Sequence, residues 1–204
     1  MLFPEIKLLC EELSQQFSTL SEERKKNLQL IADYIQAKKT AGEAVKLVYI
    51  CTHNSRRSHF GQVWSAVAAA YYNISKVSTF SGGTEATAFH PNAIEALRQL
   101  GFQIEGNASE TNPVYTVRFG DHESTECFSK VYNHPSNPQS SFAAIMTCSD
   151  AEENCPFIPG VELRVATTYN DPKAFDGTPQ QDQAYRERRQ QIALETLYVF
   201  SLIH

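Results

Sequence analysis

A short apolar run, Leu47-Val48-Tyr49-Ile50, stops at Cys51-Thr52-His53-Asn54-Ser55-Arg56-Arg57-Ser58, and helix-spaced apolar residues follow at once. A continuous run of this length marks a strand buried on both faces, and such strands belong to parallel sheets covered by helices. Phe60, Val63, Trp64, Val67 and Tyr71 supply the apolar helical face across residues 57–72. The unit then recurs. Residues 76–80 are strand-like and end in Ser81-Gly82-Gly83, and Pro91, Ile94, Leu97 and Leu100 with Gly101 mark a helix. Its proline sits at the first turn and its glycine just past the end, as helix termini favour. Phe142-Ala143-Ala144-Ile145-Met146 is a third buried run, and residues 162–166 are a weaker fourth. Residues 182–203 are helical, with Tyr185, Ile192, Leu197 and Phe200 among the apolar positions. Strands alternating with helices predict a parallel, doubly wound α/β sheet.

Two segments depart from the alternation. Residues 1–44 form an N-terminal helical extension, with Ile6, Leu9, Cys10, Leu13 and Phe17 at helical spacing and then Leu28, Ile31 and Ile35. Ser21 is placed to cap the second helix, Glu22 and Glu23 suit its first turn, and Lys38, Lys39 and Gly42 suit its end. The remainder, 45–204, is expected to be one catalytic domain carrying an insertion at 107–141. That insertion is rich in Asn, Ser, Pro and His. It holds strand-like pieces at 114–119 and 127–132 around Gly120-Asp121, which predicts an inserted β-hairpin.

Composition narrows the class. With 42% hydrophobic residues the chain can build a core, and a net charge of -5 argues against a protein held to nucleic acid by phosphate contacts. No run is long enough to span a bilayer, and the first residues lack the pattern of a secretory signal. Five cysteines, an odd count, make a poor disulfide framework. These points predict a cytoplasmic protein whose cysteines are free for chemistry.

In an open α/β sheet the active site lies beyond the carboxyl ends of the strands, and Cys51 begins such a loop. The amides of Thr52, His53, Asn54, Ser55 and Arg56, with the helix N-terminus that follows, can bind an anion and lower a thiol pKa. Arg57 can present a planar fork to two oxygens of a tetrahedral oxyanion. Ser58 can donate to a thiolate, and Asn54 tolerates a left-handed backbone where the loop must wrap. Cysteine and arginine six positions apart are weak evidence alone. The plain alternative makes Cys51 a small buried hydrophobe and Arg57 a solvated helix start, but the place in the sheet favours chemistry.

Cys148-Ser149-Asp150-Ala151-Glu152-Glu153-Asn154-Cys155-Pro156 follows the third buried run, on the same rim. Structural zinc pairs sit two to four residues apart with companion ligands, and neither condition is met, so no metal site is expected. Two readings stay open here: an accidental pair of cysteines, or a redox pair on a loop with room for disulfide exchange. Tyr169-Asn170-Asp171-Pro172 is by itself a turn, yet its proline can hold Asp171 as a general acid.

Together these motifs resemble the low-molecular-weight protein tyrosine phosphatase superfamily and, within it, the thioredoxin-coupled arsenate reductases. The resemblance rests on the 51–58 loop, Ser81-Gly82-Gly83-Thr84, the Pro91 helix, the 148–156 segment and Asp171-Pro172, and leaves out the insertion. It implies a four-stranded parallel sheet with helices on both sides. It also implies Cys51 as nucleophile, Arg57 and the loop amides as oxyanion binders, Ser58 as thiolate stabiliser and Asp171 as acid. By the same resemblance arsenate becomes arsenite as a Cys51–Cys148 disulfide forms, which passes to Cys148–Cys155 and is reduced by thioredoxin. No tightly bound cofactor is implied, with room left for a potassium ion. The alternative is a phosphatase working through a cysteinyl-phosphate on Cys51, Arg57 and Asp171, with no need of Cys148 or Cys155. Two departures stand out. His53 replaces a common glycine, and Arg56 replaces a common cysteine, adding a cation expected to alter anion preference.

Overall fold

A computed structural model describes residues 1–106, 110–154 and 157–204, residue 154 by its backbone alone. Helices α1 (Pro4–Ser14) and α2 (Glu22–Thr40) come first, and Ser21 caps α2 by accepting from the Arg24 amide at 3.2 Å. Strand β1 (Val45–Cys51), helix α3 (Arg57–Tyr71), strand β2 (Val77–Gly83) and helix α4 (Pro91–Arg98) follow. Next come β3 (Gln103–Gly106), β4 (Tyr115–Arg118), β5 (Ser124–Cys127) and β6 (Phe142–Met146). The short α5 (Ser149–Asn154), β7 (Val161–Ala166) and the long α6 (Gln181–Ser201) complete the described chain.

The main sheet has the order β2-β1-β6-β7, and every pairing is parallel. Alternate residues of the two central strands serve two cores. Leu47, Tyr49, Ala143 and Ile145 face the helices α1, α2, α3, α4 and α6, while Val48, Ile50, Ala144 and Met146 face a smaller cluster with Ala151 and Ile158. This period of two explains why both strands read as unbroken apolar runs: each face is covered. The expected four-stranded, doubly wound parallel sheet is what forms. Its two sides are unequal, because α5 is the one helix on the thin side.

Chain order leaves β1 toward β2 on one side and places β6 on the other. The loops after β1 and β6 therefore diverge, opening the crevice where doubly wound folds bind ligands. Cys51 ends β1, and Ile50 is paired with Met146 of β6, two residues before Cys148.

The insertion contains the expected hairpin, β4–β5, with a third strand added to it. It belongs to a three-stranded antiparallel sheet, β3-β4-β5, in which Ile104 faces Val117 and Val117 faces Thr125. The first expected strand forms at β4, but the second starts at Ser124 and ends at Cys127 instead of running through 127–132. A tight turn sets the register: Phe119 donates to the Glu123 carbonyl at 3.0 Å, so Arg118 must face Ser124. Residues 128–132 go instead to the open edge of β2. There Gly83 N–H donates to the Lys130 carbonyl and Tyr132 N–H to the Gly83 carbonyl, both at 2.9 Å.

The helical extension is not a loose appendage. Ile6, Cys10, Leu13, Leu28, Ile31 and Ile35 lie in the same apolar cluster as Trp64, Leu197 and Phe200. Among the described residues no helix is long and apolar enough to cross a membrane.

Candidate active site

The 51–58 loop is held from three directions. Asn54 adopts φ +44°, the left-handed conformation its side chain tolerates, and is fully buried. Its amide nitrogen donates to Ser58 Oγ at 2.8 Å, and Ser58 Oγ lies 3.1 Å from Cys51 Sγ. Its carbonyl oxygen accepts from the Lys130 backbone N–H at 2.8 Å. The insertion thus orients the hydroxyl beside the Cys51 sulfur. On another side the Thr84 amide donates to the Cys51 carbonyl at 3.1 Å and the Glu85 amide to the Thr52 carbonyl at 2.9 Å. Gly83 is required for this approach, since a Cβ there would lie 2.6 Å from the Thr52 carbonyl oxygen. Ser55, from the third direction, donates to the Ala88 carbonyl at 2.7 Å and accepts at its own carbonyl from His90 N–H.

Arg57 opens α3 and is buried beside the loop. Its Nη1 donates to the Tyr169 carbonyl at 2.8 Å and its Nη2 to Asp171 Oδ2 at 2.6 Å. The other Asp171 oxygen accepts from Lys173 N–H at 3.0 Å, which starts the short 3₁₀ turn Pro172–Phe175. Arg57 Nε is buried with no hydrogen-bond partner among the described residues, a donor available to an anion. Asp171 and Arg57 are thus in direct contact.

Cys148 comes to the same place. Thr52 Oγ1 lies 3.4 Å from Cys148 Sγ and donates to Asp150 Oδ2 at 2.7 Å, tying the first loop to the second. The Ala151 amide donates to Cys148 Sγ at 3.3 Å, and the sulfur is buried. Cys51 and Cys148 both carry free thiols. Cys155, the third member of the expected relay, lies outside the described residues.

Arg56 corrects the expectation of a second cation presented to the anion. Its Nε donates to Tyr185 Oη at 2.5 Å and its Nη2 to Asp176 Oδ2 at 2.8 Å, so the guanidinium turns toward α6. A buried guanidinium needs fixed acceptors, and these lie away from the loop. His53 also turns outward, its Nε2 3.0 Å from Glu85 Oε1. What these two residues leave to an anion is their backbone.

Sequence reasoning missed the residues behind the loop. Lys130, Ser129, Tyr169 and Glu195 act through long-range contacts that no local pattern marks. Ser129 Oγ donates to the His53 carbonyl at 3.0 Å. The one available signal was polarity at buried positions, as at Glu195, an acid among apolar residues of α6.

Comparison with known proteins places this geometry. No family model matches the chain. An arsenate reductase of Bacillus subtilis is 26% identical over 144 residues, covering 70% of this chain and 86% of that protein. An arsenate reductase of Halalkalibacterium halodurans is 27% identical over 149 residues, covering 72% and 89%. An arsenate reductase solved in a phosphate-binding state superposes with a TM-score of 0.53 at 17% identity, covering 78% of this chain and 99% of that one. A low-molecular-weight protein tyrosine phosphatase from T. tengcongensis superposes with a TM-score of 0.52 at 12% identity, with the same coverage. The fold is shared with solved members of the low-molecular-weight protein tyrosine phosphatase superfamily. Within that superfamily, the relatives named here that it matches in sequence are arsenate reductases. The structural likeness speaks for the fold, to which this chain adds the helical extension and the antiparallel sheet.

Proposed function

We propose that this chain reduces arsenate to arsenite through Cys51 and a disulfide relay that thioredoxin resets. The observation that carries the reading is the contact between the two cysteine loops, with Thr52 Oγ1 3.4 Å from Cys148 Sγ. A phosphatase needs Cys51, Arg57 and Asp171 but no second cysteine. The named relatives add support, since the two matched in sequence are arsenate reductases and one solved neighbour is described as binding phosphate.

The chemistry follows from the contacts. The Cys51 thiolate, accepting from Ser58, attacks the arsenic of an arsenate held by the amides of residues 52–57 and by Arg57. An As–S bond forms, and one oxygen leaves as water with a proton from Asp171. The Cys148 thiolate then attacks Cys51 Sγ. The S–S bond forms as the As–S electron pair returns to arsenic, so As(V) becomes As(III) and arsenite departs. Cys155 next attacks Cys148 and frees Cys51, and the Cys148–Cys155 disulfide takes two electrons from the thioredoxin dithiol. Among the described residues no group of three or more His, Cys, Asp or Glu side chains is arranged to hold a metal ion.

One observation favours the second reading, phosphomonoester hydrolysis. Phe175, just past Asp171, is exposed and can pack on an aromatic ring. The two readings separate when arsenate-dependent NADPH oxidation with thioredoxin and its reductase is run beside aryl phosphate hydrolysis. Cys51→Ser should abolish both activities. Cys148→Ser and Cys155→Ser should lose reduction, by at least about a hundredfold if each thiol is obligatory, and keep hydrolysis. Arsenate turnover that survives in both of these variants rules out the relay.

A further inference from the structure

We propose that Arg24 and Glu195 are positioning residues for Arg57, so that the helical extension completes the anion site from behind. The inference rests on the reading of Arg57 as the oxyanion-binding group. Glu195, on α6, is only 2% exposed and is the hub of the arrangement. Its Oε2 accepts from Arg24 Nε at 2.9 Å, from Arg24 Nη2 at 2.8 Å and from Tyr169 Oη at 2.7 Å. Its Oε1 accepts from Gln191 Nε2 at 3.1 Å. Arg24 also lies over the Tyr169 ring, 4.8 Å from the centroid, and reaches the Thr168 carbonyl at 3.4 Å.

Tyr169 is consequently fixed at both ends. Its phenol is held by Glu195, its ring by Arg24, and its amide donates to the Thr147 carbonyl at 3.0 Å. Its carbonyl is the acceptor for Arg57 Nη1, and Asp171, two residues on, is the acceptor for Nη2. The direction of the Arg57 fork is therefore set by the 168–171 segment. That segment is in turn set by a buried carboxylate that, among the described residues, is ion-paired with Arg24 of α2. Without Arg24, Glu195 becomes a buried charge that has lost its directly hydrogen-bonded cation, which a folded protein relieves by shifting the groups around it. A shift of about 1 Å in an anion-binding group is enough to cost one to two orders of magnitude in function.

The experiment uses the full chain with Arg24→Ala, Arg24→Lys, Glu195→Gln and Tyr169→Phe, the last two nearly isosteric and chosen to keep the fold. Inorganic phosphate is the probe. Its affinity is read from the protection of Cys51 against iodoacetamide, with arsenate kinetics measured beside it well below each variant's Tm. Phosphate affinity and kcat/KM should fall about tenfold in Arg24→Ala and Glu195→Gln and less in Tyr169→Phe, with Arg24→Lys partly restored. Variants that lose Tm but protect Cys51 as well as the wild type does would show a structural role only and overturn the inference. Arg57→Lys serves as the control for the underlying reading. If it leaves phosphate protection unchanged, the assignment of Arg57 itself fails. If it abolishes protection while the other variants do not, the positioning role alone fails.

Discussion

His59 follows Ser58 directly and is fully buried, yet it takes no part in the proposed chemistry. Its Nδ1 lies 3.2 Å from Ser81 Oγ, and its ring packs at a tilt against Phe89 with centroids 4.1 Å apart. Burial first, and then the nearby Lys130 ammonium, hold its pKa well below the ordinary value of 6.5. The folded ring therefore stays neutral at a pH where the unfolded chain binds a proton. Below pH 6.5 the unfolded state binds the extra proton, so stability falls as pH falls, by up to ~1.4 kcal/mol per unit. His59→Phe keeps a ring against Phe89 and removes the titration. Between pH 6.5 and 5 its unfolding free energy, from urea titrations, should lose one proton's worth of slope relative to wild type. Equal slopes in the two proteins would mean that the folded ring takes up the proton. At this scale the sequence was legible where function is local. Cys51, Asn54, Arg57 and Ser58 could be read from one loop, because adjacent residues share a turn. Arg56 could not, because its acceptors Asp176 and Tyr185 lie over a hundred residues away and only packing brings them together.

Gly61 shows how an element is fitted to its neighbour at the expense of its own stability. It lies inside α3, where glycine costs about 1 kcal/mol relative to alanine. A Cβ there would lie 2.2 Å from the Tyr49 ring of β1, whose hydroxyl meets Ser65 of the same helix at 2.5 Å. The close seat of α3 on β1 needs the missing side chain. Gly61→Ala should thus destabilise the protein by about 1–3 kcal/mol despite its better helix propensity, measured by thermal or denaturant unfolding. Because α3 begins at Arg57, arsenate turnover should fall as well. A stabilised variant would mean that the helix has room to move. The elements that could be read in advance were those whose burial writes a pattern. β1 and β6 are covered on both faces, and α4 carries proline and glycine at its ends. β3 left no such trace: of Gln103–Gly106 only Ile104 is buried. β5 was misplaced for a related reason, since Ser124–Glu126 are outward or half-buried and the strand is fixed by the turn before it.

At the scale of the whole molecule the five cysteines divide by what surrounds them. Cys51 and Cys148 belong to the smaller cluster on the thin side of the sheet, whereas Cys10 in α1 and Cys127 at the end of β5 are fully buried in the large core. Burial pushes the thiols of Cys10 and Cys127 up to about 12 each, so neither supplies thiolate at neutral pH in the folded protein. They sit in the two additions to the superfamily fold, one in the helical extension and one in the antiparallel sheet. Yet both belong to one continuous cluster that also holds Trp64, Leu197 and Phe200. A core shared in this way unfolds as a unit, because neither addition can leave without exposing apolar surface of the main sheet's helices. In a Cys51→Ser/Cys148→Ser/Cys155→Ser background, Cys10 and Cys127 should react with a thiol reagent at the same rate in the native protein. That rate should follow the global unfolding equilibrium as urea is raised. Faster reaction of Cys10 would show that the extension undocks by itself. The brace that Arg24 gives Glu195 would then be lost in a fraction of molecules, and phosphate protection of Cys51 should weaken over the same range of urea.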